Sequence, residues 1–111
     1  MYQIYFTNHF LKQLKPLVKK YRQLTDDIVK ELESFKKDLA DPLGHKLYKI
    51  RLKCSDLLKG KSKSFRLIIY LWEYKNVLVP VTIYFKGDTD NISQKEIEYH
   101  LTMTVDEIES K

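Results

Sequence analysis

Apolar residues along the chain follow two periods, and the change from one to the other divides the sequence. Phe10, Leu14, Leu17, Tyr21 and Leu24 recur at steps of four, three, four and three, which lines one face of a helix. Ile28, Leu32, Phe35 and Leu39 form a second stripe of the same period. Thr7 or Asn8 can cap the first helix, and Pro16 within it predicts a kink or a short break, because proline lacks the amide hydrogen and crowds the preceding turn. The second helix is expected to begin near Thr25 or Asp26, with Asp26 and Asp27 at its positive end. It is expected to stop at Asp41-Pro42-Leu43-Gly44, giving an antiparallel helical hairpin.

On either side of this hairpin the period is two. Residues 2–7, rich in aromatic and β-branched side chains, predict a short strand. Residues 47–53 alternate, with Tyr48, Ile50 and Leu52 on one face and Lys49, Arg51 and Lys53 on the other. Residues 65–72 and 77–85 predict two further strands joined by a turn at Glu73-Tyr74-Lys75-Asn76. Pro80 calls for an edge position or a bulge. A polar, basic loop fills 54–64, and Ser93 and Glu96 stand in capping-box spacing at the start of a short helix over 93–101. An acidic tail follows from about 103 to 111. The order β-α-α-β-β-β-α predicts an α+β fold: an N-terminal strand, a helical hairpin, then an antiparallel sheet with a C-terminal helix, the helices packed on one face. Its 111 residues suit a single domain.

Composition narrows the function. One cysteine, Cys54, excludes a disulfide framework and a cysteine zinc site, and it reads as a small packing residue. No apolar run approaches the ~20 residues of a membrane helix, and the N-terminus lacks the order of a signal peptide, so a cytoplasmic location is expected. The formal net charge is +5, and its distribution matters more than its size. Between His45 and Arg66 stand Lys46, Lys49, Arg51, Lys53, Lys59, Lys61, Lys63 and Arg66, against Asp56 as the one acid. One fifth of the chain therefore carries a net +7 and the rest a net −2, the footprint of a polyanion site. Strand parity gathers part of it. If the uniformly apolar Phe65, Leu67, Ile69 and Leu71 face the core, then Arg66 and Tyr70 lie on the open face beside Lys49 and Arg51. Thr82, Tyr84 and Lys86 share a parity that can join them. Cations interleaved with aromatics bind single-stranded nucleic acid by phosphate pairing and base stacking.

Three segments resemble one family. Gly44-His45-Lys46-Leu47-Tyr48-Lys49-Ile50-Arg51-Leu52 is similar to the "G…LYKIRL" segment of the RelE/ParE superfamily of bacterial toxins. The run from Lys59 through Gly60, Lys61 and Ser62 to Tyr70 resembles its "GKSGGYRVIYY". Val81-Thr82-Ile83-Tyr84-Phe85-Lys86, followed by Asp90-Asn91-Ile92-Ser93, resembles its "LLTIYSKSE…DIS". The three lie in register over most of the chain, and the HigB/RelE branch is nearer than the ParE branch.

The resemblance implies a type II toxin, held in check by a cognate antitoxin, that binds the ribosomal A site and cuts mRNA without a metal or other cofactor. In that chemistry the ribose 2′-hydroxyl attacks the adjacent phosphate and leaves a cyclic phosphate and a 5′-hydroxyl. Lys49 matches a position that helps deprotonate the 2′-hydroxyl; Arg51 and Arg66 match positions that hold the scissile phosphate. Arginine's fixed fork suits a phosphorane better than a point charge does. Lys46, Lys53, Lys59, Lys61, Lys63 and Tyr70 complete the expected RNA surface. The chain departs from the pattern past the fourth strand, where relatives carry an arginine, histidine or tyrosine and this chain has Gly87, Asp88, Thr89 and Asp90. Lys86 and Tyr84 are the remaining candidates for the general acid. Two other readings stay open: a ParE-like gyrase inhibitor, and a weakened relative that binds antitoxin and regulates its operon. His9, His45 and His100 fall in different elements and form no ligand or triad pattern. Asp56 is expected to pin the basic loop through Lys59 or Lys61, and Trp72 to be structural or part of an antitoxin surface.

Overall fold

In the computed structural model, which describes residues 2–55, 64–86 and 92–110, a five-stranded sheet separates two unequal helical layers. The elements are β1 (Gln3–Ile4), α1 (Asn8–Lys20), α2 (Leu24–Glu33), a 3₁₀ turn (Lys37–Leu39), β2 (Asp41–Gly44), β3 (Leu47–Leu52), β4 (Phe65–Trp72), β5 (Val77–Phe85) and α3 (Gln94–Glu109). The strands lie in the order β1-β5-β4-β3-β2. All neighbours run antiparallel except β1, which pairs parallel with β5 at Val77 and Leu78. The fold class is the expected α+β; the sheet is mixed rather than purely antiparallel.

The main core has the expected face. Phe65, Leu67, Ile69 and Leu71 are fully buried against Phe10 and Leu14 of α1 and Leu24, Ile28 and Leu32 of α2. Tyr48, Ile50 and Leu52 of β3 join them, and Cys54 packs there as a small side chain. Pro80 sits at a bulge: Ile68 pairs with Thr82 but Ile69 pairs with Pro80, so Val81 is the additional residue. The bulge keeps Leu78 and Ile83 in this core although they lie five residues apart.

Several expectations are corrected. The helices do not all share one face, because α3 places Ile97 over Leu47, Ile68 and Val81 in a second cluster on the opposite side. This helix also runs on to Glu109, taking up most of the acidic tail. Thr104 and Ile108 within it are buried, which gives the added turns something to hold. The first strand shrinks to Gln3–Ile4, because Thr7 already caps α1 by accepting a hydrogen bond from the Phe10 amide at 3.0 Å. No break occurs at Pro16; α1 is continuous. Both Pro16 and Lys12, whose carbonyl proline leaves without a partner, are on the exposed side, where water can take that carbonyl. In contrast, α2 ends at Glu33, and Leu39 is 83% exposed rather than part of its stripe. The Ser34 hydroxyl donates back to the Lys30 and Glu31 carbonyls, an end-of-helix arrangement. Phe35 then turns inward between Tyr2 and Tyr48. Finally, the Asp41-Pro42-Leu43-Gly44 segment is a strand as well as a stop. It hairpins to β3 through Gly44, His45 and Lys46, all at positive φ.

Candidate nucleic-acid interface

The open face is organised by strand register. Arg51 on β3 lies opposite Arg66 on β4, which lies opposite Tyr84 on β5. Paired residues in a sheet project to the same side, so two guanidinium groups and a phenol form one row. The next row holds Asp41, Lys49, Ile68 and Thr82, and the one after it Leu47, Tyr70 and Val79. Lys49, Arg51, Arg66, Tyr70 and Tyr84 therefore converge on one surface.

Each side chain is held differently. The Arg66 guanidinium donates to the Ser64 hydroxyl, and Ser64, 6% exposed, anchors it just before β4 begins. Lys49 has the Asp41 carboxylate 3.9 Å away across the strand pair. Arg51 is exposed at the rim of the sheet. Tyr70 and Tyr84 are half-buried, each with one side against the second cluster under α3. Burial pushes the Tyr84 phenol upward, while the nearby Arg66 charge pulls it part of the way back. Lys86 is exposed directly after β5, its amide donating to the Ser64 carbonyl at 2.9 Å. It thus flanks the register position next to the arginine row.

The remaining candidates are not all gathered here. Lys53 is exposed just past β3. Lys46 turns to Glu73, whose carboxylate accepts from both Lys46 and Lys37 at 3.0 Å. Hydrogen bonds from Lys37 and then Lys46 hold the Glu73 carboxyl below its ordinary range. Lys46 thereby ties the β2–β3 hairpin to the β4–β5 turn. Lys59, Lys61, Lys63 and Asp56 lie outside the described residues, as do Asp88 and Asp90. Just past the end of β3, Asp27 accepts from the Ser55 amide at 2.8 Å and hydroxyl at 2.7 Å.

Three features of the site escape a linear reading. Ser64 supports Arg66 from two residues upstream. Asp41 reaches Lys49 only because the segment that stops the helices is also an edge strand. The third is a cavity of about 290 Å³ between β5 and α3, lined by Gln13, Thr82, Tyr84, Ile92, Glu96 and His100. Gln13 closes its α1 side, donating to the Val81 carbonyl at 3.0 Å and accepting from the Thr82 hydroxyl at 2.6 Å. A linear reading also gives no sign that His9 and His100, in different elements, meet at 2.8 Å. Among the described residues, no three metal-ligating side chains come together, and no helix is long and apolar enough to cross a membrane.

The fold and this face define a class: a small α+β protein with a helical pair behind a twisted sheet and a cationic row across its front. No family model matches the sequence, and no curated protein is similar to it. Solved structures do share the fold. The E. coli toxin RelE, as a double arginine-to-alanine mutant in the free state, superposes with a TM-score of 0.54 at 23% identity. That match covers 80% of this chain and 87% of that one. The intact E. coli RelBE toxin–antitoxin complex gives 0.51 at 24% identity, over 75% of this chain and 94% of its own. The chain has the RelE fold.

Proposed function

We propose that this protein is the toxin of a type II toxin–antitoxin pair, of the HigB/RelE branch, and that it cleaves mRNA in the ribosomal A site in the cytoplasm. The observation that carries this reading is the Arg51–Arg66–Tyr84 row with Lys49 beside it, on the fold of a toxin whose solved complex contains an antitoxin. In the reaction, the ribose 2′-oxygen loses its proton to a base and attacks phosphorus. The bond to the 5′-oxygen breaks, that oxygen gains a proton, and the products are a 2′,3′-cyclic phosphate and a 5′-hydroxyl. Lys49 is assigned to the 2′-hydroxyl side. Arg51 and Arg66 are assigned to the phosphate, where preorganised donors act on charge that grows in the transition state. Such a pair neutralises the phosphorane without a metal ion. Tyr84 and Lys86 are the candidates for the leaving-oxygen proton; Lys53, Tyr70 and the lysines at 59, 61 and 63 are assigned to the RNA surface, while Lys46 is held at Glu73.

Inducing the chain in bacteria and mapping new mRNA 5′ ends tests the reading. Codon-phased cuts that vanish in Arg66→Ala support it. DNA damage without cuts favours gyrase inhibition, and neither effect favours a regulatory relative. The partner is tested by co-expression with the adjacent gene: a protective antitoxin copurifies and abolishes cleavage.

A further inference from the structure

Two histidines separated by ninety-one positions close one joint of this fold. His9 stands in the first turn of α1 and His100 midway along α3. The His9 Nε2 and His100 Nδ1 lie 2.8 Å apart, with ring centroids at 5.0 Å. The Tyr99 ring meets His9 edge-on at 5.8 Å. Two turns further on, Glu107 of α3 accepts from the Asn8 and His9 amides, the latter at 3.1 Å, and so completes the N-terminal cap of α1. The joint holds α3 where its Ile97 covers Ile68 and Val81 of the open sheet face.

A nitrogen–nitrogen hydrogen bond needs one N–H and one lone pair. The neutral pair supplies both, and so does a pair carrying one additional proton. A second additional proton puts a hydrogen on each facing nitrogen and a positive charge on each ring, so a 2.8 Å contact becomes a repulsion. We propose that the His9–His100 pair is a proton-operated clasp that seats α3 on α1 and over the sheet, and that full protonation of both rings releases the helix. Among the described residues, the charges around it are few. From α1, Lys12 adds positive charge at His9; from α3, Glu107 opposes it at His9 and Glu96 at His100; from β5, Tyr84 faces His100 across the cavity. Burial is the largest influence on both rings and holds each below the ordinary histidine value. The closed clasp is therefore the form favoured at neutral pH, and mild acid opposes it. Opening uncovers Val81 and also Ile68, which stands in the row between Lys49 and Thr82, and enlarges the exposed sheet at the end where Tyr84 stands.

Amide hydrogen exchange on the whole chain, without RNA or partner, tests this separately from the nuclease reading. Between about pH 7.5 and pH 5, and after correction for the intrinsic pH dependence, protection across residues 97–108 should fall by up to about tenfold per pH unit for each proton taken up. Protection of residues 67–71 in β4 should not fall with it. In His9→Gln, whose amide keeps a donor and an acceptor but does not titrate, only the buried His100 can still take up a proton, so α3 protection should fall less steeply than in wild type, by at most about tenfold per pH unit. Parallel loss in wild type and variant, or equal loss in α3 and β4, overturns the proposal. Should the variant fold poorly, the wild-type imidazole resonances decide. Two coupled steps, the second at lower pH, support the clasp, and two independent steps at the ordinary histidine value overturn it.

Discussion

Arg51 provides a test in which stability and activity should move in opposite directions. Its Cα lies opposite that of Arg66 in the β3–β4 ladder, so two guanidinium groups leave the sheet side by side. Arg66 is fixed by its bond to Ser64, and Arg51 is exposed at the rim. Like charges directly opposite each other destabilise a sheet by about 0.2–1 kcal/mol. Arg51→Thr removes that repulsion and installs a side chain well suited to a strand. For a domain of this size the gain corresponds to a melting point higher by about 1–8 °C. It should shrink in 1 M salt, where the screening length is about 3 Å. If the row holds a scissile phosphate, the same change should lower cleavage by about 10²–10³-fold, the usual cost of losing one preorganised donor. Thermal melts at low and high salt, beside a cleavage assay on programmed ribosomes, read both quantities from one preparation. A melting point several degrees lower at low salt would mean that Arg51 packs into the structure. Undiminished cleavage would remove the row from the active site.

Other outcomes follow from the same structure. Ile69→Ala, a truncation in the fully buried main core, should destabilise by about 2–5 kcal/mol in urea melts. Leu39→Ala, at a side chain 83% exposed, should stay within about 0.5 kcal/mol; equal losses would contradict the described core. Affinity for ribosomes or RNA should fall steeply with salt as counterions are displaced, and an affinity that is flat between about 50 and 200 mM would mean the cations do not meet phosphates. The histidine pair also sets a pH window for global stability. Both rings sit below their ordinary 6.5 in the folded chain, so the unfolded chain binds more protons as pH falls. Their contribution is complete above about pH 6.5 and is lost as pH drops through the folded values. Urea midpoints should decline between about pH 7 and 5, and a level midpoint would contradict the burial of the pair.

What the sequence reveals here depends on how far apart the cooperating residues lie. The faces of β4 were readable because one parity is wholly apolar and the other begins with an arginine. Parity then carried Arg51 and Tyr84 to the same side without any structural input. Pro80 announced an edge or a bulge for a similarly local reason, the missing amide hydrogen, and the bulge is what forms. Contacts between distant elements were not readable. Nothing near Ser93 shows that the next helix crosses to the opposite face, because Ile97 and Leu101 fit either side until the second cluster is assembled. His9 and His100 have no sequence relation, and only the crossing of α1 by α3 makes them neighbours. At Asp41-Pro42 a helix stop and an edge strand use the same residues, so the stronger signal hid the weaker one, and with it the carboxylate beside Lys49.

The most direct test of the nuclease reading is the chemistry of the RNA ends. Purified protein should be incubated with ribosomes carrying a defined mRNA, and the termini of any fragments identified. Attack by the 2′-hydroxyl predicts a 2′,3′-cyclic phosphate upstream and a 5′-hydroxyl downstream, at A-site positions, with the products lost in Arg66→Ala. Fragments bearing a 5′-phosphate, or intact mRNA with wild-type protein at concentrations that saturate the ribosome, would contradict it.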